Sequence, residues 1–144
     1  TCLSISVVLI IQALIFGDGG ITAIGANCFT MAVVMPFVAW HIFRIIRGSS
    51  RSTARIIAAA FFAGYISLTV AAVLTGFLFG IQPVIAVAAD GKPLYAPYPI
   101  SIAVPAMLIE HLVLFGFIEG IVTSLVVKFL ASREMNLIHA LKEK

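Results

Sequence analysis

The sequence predicts an all-α membrane protein, a multipass bundle of transmembrane helices, and three observations predict it. Hydrophobic residues fill 62% of the 144 positions and charged residues only 10%, whereas a soluble domain carries about 25% charged residues. Mean hydropathy is +1.17. The apolar residues are gathered into membrane-length runs, and the charges lie between and after them. A chain with so little charge cannot coat a water-facing surface, so lipid solvates much of it. Its length suits a single domain over residues 1–144. The pI near 9.1 comes from a few basic residues at segment ends. There is no basic stripe with interleaved aromatics, which argues against nucleic acid as a partner.

Four apolar segments give about four spans. The first, Leu3 to Phe16, is short for a crossing that needs roughly 20 residues. It opens at Thr1, so the simplest expectation is a chain that starts inside a helix, with preceding sequence missing. No basic residues precede this run and no small-residue cleavage site follows it, which disfavours a signal peptide. Next comes Gly17 to Asn27, GDGGITAIGAN, with four of the eleven glycines and with Asp18, Thr22 and Asn27 among them. A polar, glycine-rich turn at membrane depth has to be buried in protein or reached by water. Two readings stay open for it, a tight helix connection or a structured site. The second segment runs from about Ala26 to Ile46, and the third from Ile56 to Gly80 without a charge. The fourth, from about Ile100 to Leu130, is long enough to tilt or to emerge into the cytoplasm. Pro36 and Pro105 lie within such segments, so each is expected to kink or to start its helix.

Charge placement orients the spans. Arg44, Arg47, Arg51 and Arg55 crowd the second connection, and Lys128, Arg133, Lys142 and Lys144 follow or close the last segment. Basic residues beside spans favour the cytoplasm. That puts the arginine connection and the C-terminus inside, and the glycine turn and the Ile81–Pro99 loop outside. Gly48, within the arginine connection, is read as a place where solvent relaxes backbone strain. In the outer loop Asp90-Gly91 signals a turn, and VIAVA and PLYAPY are candidates for a short hairpin. Pro93, Pro97 and Pro99 make the second arm irregular. Tyr95 and Tyr98 suit the headgroup layer better than a ligand lid.

Ionisable residues inside spans are rare and costly. The fourth segment holds Glu110, His111 and Glu119. At 100° per residue the two glutamates face nearly opposite ways and form no paired-carboxylate site. Glu119 and Thr123 share a face, and Gly116 and Gly120 permit close helix approach. Glu119 is read as bonding a neighbouring helix or backbone rather than relaying protons. His41 is read as simply solvated. Cys2 and Cys28 are separated by a segment and are not expected to pair. The sequence has no CxxC, HExxH, close histidine pair or Walker A motif.

The run LIIQALIFGDGGITAIGANCFTMAVVMPFVAW resembles the CbiM family, the substrate-specific membrane subunits of energy-coupling factor (ECF) transporters for cobalt, to which the nickel subunit NikM is close. GIQP, GKPLYAPYPISIAVPAM and EHLVLFGFIEGIVTSLVV fit the same family. The resemblance implies the C-terminal portion of a larger helical bundle in a prokaryotic cell membrane. Such a bundle imports Co2+ or Ni2+, for cobalamin synthesis if cobalt, and holds no cofactor. The implied partners are a CbiQ-like coupling subunit, CbiO-like ATPase subunits that hydrolyse ATP and, in some members, a small CbiN-like subunit.

In that family the main ligands are the N-terminal amine, a His after the initiator Met and a His in an earlier loop. All precede the matched part, and His41, His111 and His139 do not fall on those motifs. The resemblance therefore places no metal ligand in this chain. Gly19, Gly20, Thr22, Gly25 and Asn27 do fall on the family's GGxTxxGAN stretch, and some members have His where this chain has Asp18. Thr22 and Asn27 are candidates to orient the ligands of a nitrogen-rich Co(II) or Ni(II) site, with simple turn geometry as the competing reading. Two other function classes stay open. One is an intramembrane enzyme using Glu110, His111 or Glu119, and the other is a stand-alone channel or secondary transporter with Glu119 in its path.

Overall fold

A computed structural model describes residues 1–17, 19–50 and 52–142, with side chains through Arg133. Four helices run back and forth. Helix α1 spans Cys2–Phe16, α2 spans Ile21–Arg47 and α3 spans Thr53–Ile85. Helix α4 runs from Ile100–Glu110 through a wide turn, His111–Phe115, into Gly116–Lys142. Three of the four are long and apolar enough to cross a membrane, and α1 is a shorter apolar helix.

The distribution of residue size shows what solvates this bundle. The buried positions are small: Ala59, Ala60, Ala63, Ala71 and Ala72, with Ser67 and Thr30. Leu14, Phe37, Ile45, Val113 and Phe129 are each more than half exposed. In water this would be an inverted protein. In lipid, where hydrocarbon gains little from leaving its surroundings, helices associate through small residues that let backbones approach.

Helix α3 is the hub, with α2 on one side and α4 on the other. Its buried stripe recurs every three or four residues from Ala59 to Gly80. A Cβ built on Gly80 would lie 2.5 Å from Ile100 Cα, and one on Gly76 would lie 3.0 Å from the Ala103 carbonyl. Further along, Gly116 and Gly120 of α4 press against the rings of Tyr65 and Phe61. The Gly116-x-x-x-Gly120 spacing is therefore a helix contact.

Three π-helical stretches interrupt otherwise regular helices: Gln12–Phe16 in α1, Cys28–Val34 in α2 and His111–Phe115 in α4. The second directly precedes Met35-Pro36, where the wider turn gives room to the proline ring and to its missing N–H. In the third, Tyr65 Oη donates to the Leu112 carbonyl at 2.9 Å across the α3–α4 interface.

Two boundaries differ from the sequence reading. Helix α2 starts at Ile21 rather than near Ala26, because nothing after Gly20 stops the chain winding as a 3-10 turn, Ile21–Ala23, and then as α-helix. Gly48 is not a relaxed position. It caps α2 with φ 55°, a left-handed conformation that tolerates glycine best. His41 also differs from expectation, since its Nδ1 bonds the Phe37 carbonyl at 2.8 Å and its ring packs against Phe37 and Trp40.

The loop between α3 and α4 makes a minimal hairpin. Val87 and Pro93 form one antiparallel bridge, and Leu94 N–H donates to the Ala86 carbonyl at 2.8 Å. Gly91 turns it with φ 80°, and Lys92 Nζ meets the Asp90 carboxylate at 3.0 Å. The lysine hydrogen bonds hold the Asp90 carboxyl below its ordinary value of 3.8. Tyr95 and Tyr98 are exposed.

Candidate functional site

The glycine turn holds three of the five positive-φ glycines among the described residues. Helix α1 ends at Gly17, φ 69°, whose N–H reaches back to the Gln12 carbonyl. Gly19 and Gly20 follow at φ 74° and 73°. Residues with side chains rarely adopt such angles, so this sequence makes a sharp reversal that few others would. Asn27, further along in α2, closes the turn, with Nδ2 donating to the Gly19 carbonyl at 3.3 Å. Among the described residues nothing donates to Asn27 Oδ1, which can accept. Asp18 falls outside the described residues.

Two cavities meet at Gly19. The outer one, about 620 Å³, lies between the turn, the end of α3 and the loop, and is lined by Gly19, Thr22, Ala26, Phe79, Gln82 and Tyr95 among others. The inner one, about 310 Å³, is walled by all four helices. Its polar and sulfur-bearing lining consists of Gln12 from α1, Asn27 and Met31 from α2, Thr75 from α3, and Met107 and His111 from α4. His111 Nδ1 bonds the Met107 carbonyl at 2.8 Å. A carbonyl only accepts, so Nδ1 carries a proton, and in the neutral ring the lone pair is on Nε2.

The other singled-out residues fall elsewhere. Glu110 is exposed on the outer face of α4, beside the half-buried His111 but outside the cavity lining. Glu119 Oε1 accepts the Thr123 hydroxyl at 2.9 Å, a partner on its own helix rather than on a neighbour. The same turn of α4 rests on Gly64 of α3, where a Cβ would lie 3.0 Å from Thr123 Oγ1. Glu110 and Glu119 are not brought together, and neither lines a described cavity. Gly25 has open space around it and no left-handed φ, so the turn geometry gives no reason for glycine there. Among the described residues no three His, Cys, Asp or Glu side chains converge as a metal site.

Gln12, Thr75, Met31 and Met107 escaped the sequence reading. Gln12 and Thr75 are polar residues inside apolar runs, and that signal is available from sequence. The two methionines read as ordinary apolar residues until four helices place them around one space.

A family model described as "CbiM: Cobalt uptake substrate-specific transmembrane region" matches residues 1–137. A fused nickel transport protein, NikMN, of Rhodobacter capsulatus is 50% identical over 128 residues, covering 88% of this chain and 37% of that protein. A putative metal transport protein of Methanocaldococcus jannaschii is 46% identical over 125 residues, covering 87% of this chain and 52% of its own length. A crystal structure of a transition metal transporter superposes with a TM-score of 0.86 at 38% identity, over 97% of this chain and 61% of that one. The chain thus spans between about a third and three fifths of the length of these three proteins.

Proposed function

The chain belongs to the CbiM family, and from that premise we propose that it is part of the membrane subunit that captures divalent cobalt or nickel for import. Its four helices act as one transmembrane domain. The observation that carries this reading is the glycine turn. Three left-handed glycines and the Asn27 tether hold a sharp reversal at the junction of an outer and an inner cavity. Such a turn presents backbone and amide groups in a fixed arrangement, which is what an ion-binding site needs to orient its ligands. Thr22 and Asn27 are the orienting groups, and Gly19 and Gly20 shape the backbone. The main ligands come from residues of the full-length protein other than these.

The orientation follows from charge. The arginine connection between α2 and α3 and the C-terminal end of α4 face the cytoplasm, and the turn and its outer cavity face outward. The subunit works in a prokaryotic plasma membrane. Energy comes from partners of the energy-coupling factor type, namely a CbiQ-like membrane subunit, CbiO-like ATPases and, in some systems, a CbiN-like subunit. Where the cargo is cobalt, it feeds cobalamin synthesis. Affinity purification of the full-length protein from membranes of its source cells tests the assembly. Coupling and ATPase subunits are expected to co-purify, and isolation as a lone polypeptide under conditions that preserve membrane complexes would speak for a stand-alone transporter.

A further inference from the structure

We propose that the inner cavity is a transient binding site for the transported ion, with His111 Nε2 as its strongest ligand and the Met31 and Met107 thioethers and Asn27 and Gln12 amide oxygens as weak ones. The proposal rests on the import reading above and adds a station within the membrane, below the capture region.

The first support is geometric. All three π-helical stretches border this one cavity. Gln12 opens the first, Met31 lies within the second, which starts directly after Asn27, and His111 opens the third. A π turn widens a helix and shifts its side chains, and such turns gather at functional sites. Three helices that widen around the same space point to a function of that space.

The second support is chemical. A histidine that binds metal commonly donates its other ring N–H to a carbonyl, which fixes the ring and raises its basicity. His111 already has that arrangement, with Nδ1 on the Met107 carbonyl at 2.8 Å. Imidazole suits nickel and related ions, while thioethers bind them weakly. Among the described residues the lining holds no Asp, Glu or Cys. Weakness is useful here. An ion in transit needs a well deep enough to enter and shallow enough to leave, and a full set of anionic or imidazole ligands would trap it.

Size and depth agree. Six waters at about 30 Å³ each occupy roughly 180 Å³, so about 310 Å³ admits an ion that keeps part of its hydration. His111 lies about 16 Å along α4 from Ile100 at 1.5 Å per residue, near the middle of a hydrocarbon core about 30 Å thick. Gly19 lines both cavities, so the station lies next to the outer opening.

The test uses the full-length protein with its coupling and ATPase subunits in proteoliposomes, with radiolabelled nickel or cobalt as the probe. His111→Gln is expected to lower the saturated uptake rate at least roughly tenfold, while equilibrium binding of the ion to the capture region is unchanged. Met31→Leu with Met107→Leu keeps side-chain volume and should fold. This pair is expected to slow uptake by a smaller factor and guards against misfolding of the histidine variant. His41→Gln, at the other end of α2, should leave uptake unchanged. Uptake equal to wild type in both His111→Gln and the double methionine variant overturns the station and leaves the import reading standing. A wild-type complex that moves neither ion overturns both.

Discussion

Asn27 Nδ2 donates to the Gly19 carbonyl at 3.3 Å, and a Cβ placed on Gly19 would lie 2.6 Å from that same nitrogen. The tether and the glycine therefore require each other. Any side chain at Gly19 meets the amide that closes the turn, on a backbone already at φ 74°.

Gly19→Ala is expected to break this tether, to destabilise the subunit by about 1–3 kcal/mol through strain and overpacking and to weaken ion binding. Gly25→Ala, in open space at a helical φ, should be nearly silent. Thermal unfolding in detergent, alongside ion binding by the full-length protein, checks both. Equal behaviour of the two variants would mean that the turn is not constrained as described.

Thr123→Val removes the hydroxyl that Glu119 accepts at 2.9 Å. Glu119 is half-buried, so the expected loss is about 1 kcal/mol, and Thr123→Ser should restore it. If the role is structural, uptake per folded molecule stays at the wild-type level. A selective loss of uptake with unchanged stability would move Glu119 into the ion path.

Orientation is open to labelling. With Cys2 and Cys28 replaced by Ser, a cysteine at Asp90 should react with a membrane-impermeant maleimide in intact cells, and one at Ser50 should not. The opposite pattern would reverse the topology argued from the arginines.

Much of this architecture is legible in sequence because lipid imposes simple rules. The charge-free run from Ile56 to Gly80 marks most of α3, and Asp90-Gly91 marks the loop turn. Boundaries were harder. Ile21 to Gly25 reads as loop because it follows three glycines, yet residues 21 to 27 wind immediately into helix. Gly48 reads as relaxed because it neighbours serines and arginines, yet its φ of 55° makes it another obligate turn. The inner cavity was the least legible feature. Helical periodicity treats every helix as regular, and the three π stretches that widen around Gln12, Met31 and His111 leave no simple trace in composition.

The most direct measurement is uptake of radiolabelled cobalt or nickel in cells that make the full-length protein with its coupling and ATPase subunits, normalised to membrane expression. Wild-type uptake should require the ATPase subunits. Asn27→Ala should weaken ion binding roughly 10–100-fold, as loss of a group that orients ligands does, and uptake at low ion concentration should fall with it. Uptake that persists without the ATPase subunits, or that is unchanged in Asn27→Ala, would contradict the account of this turn as the core of a coupled import site.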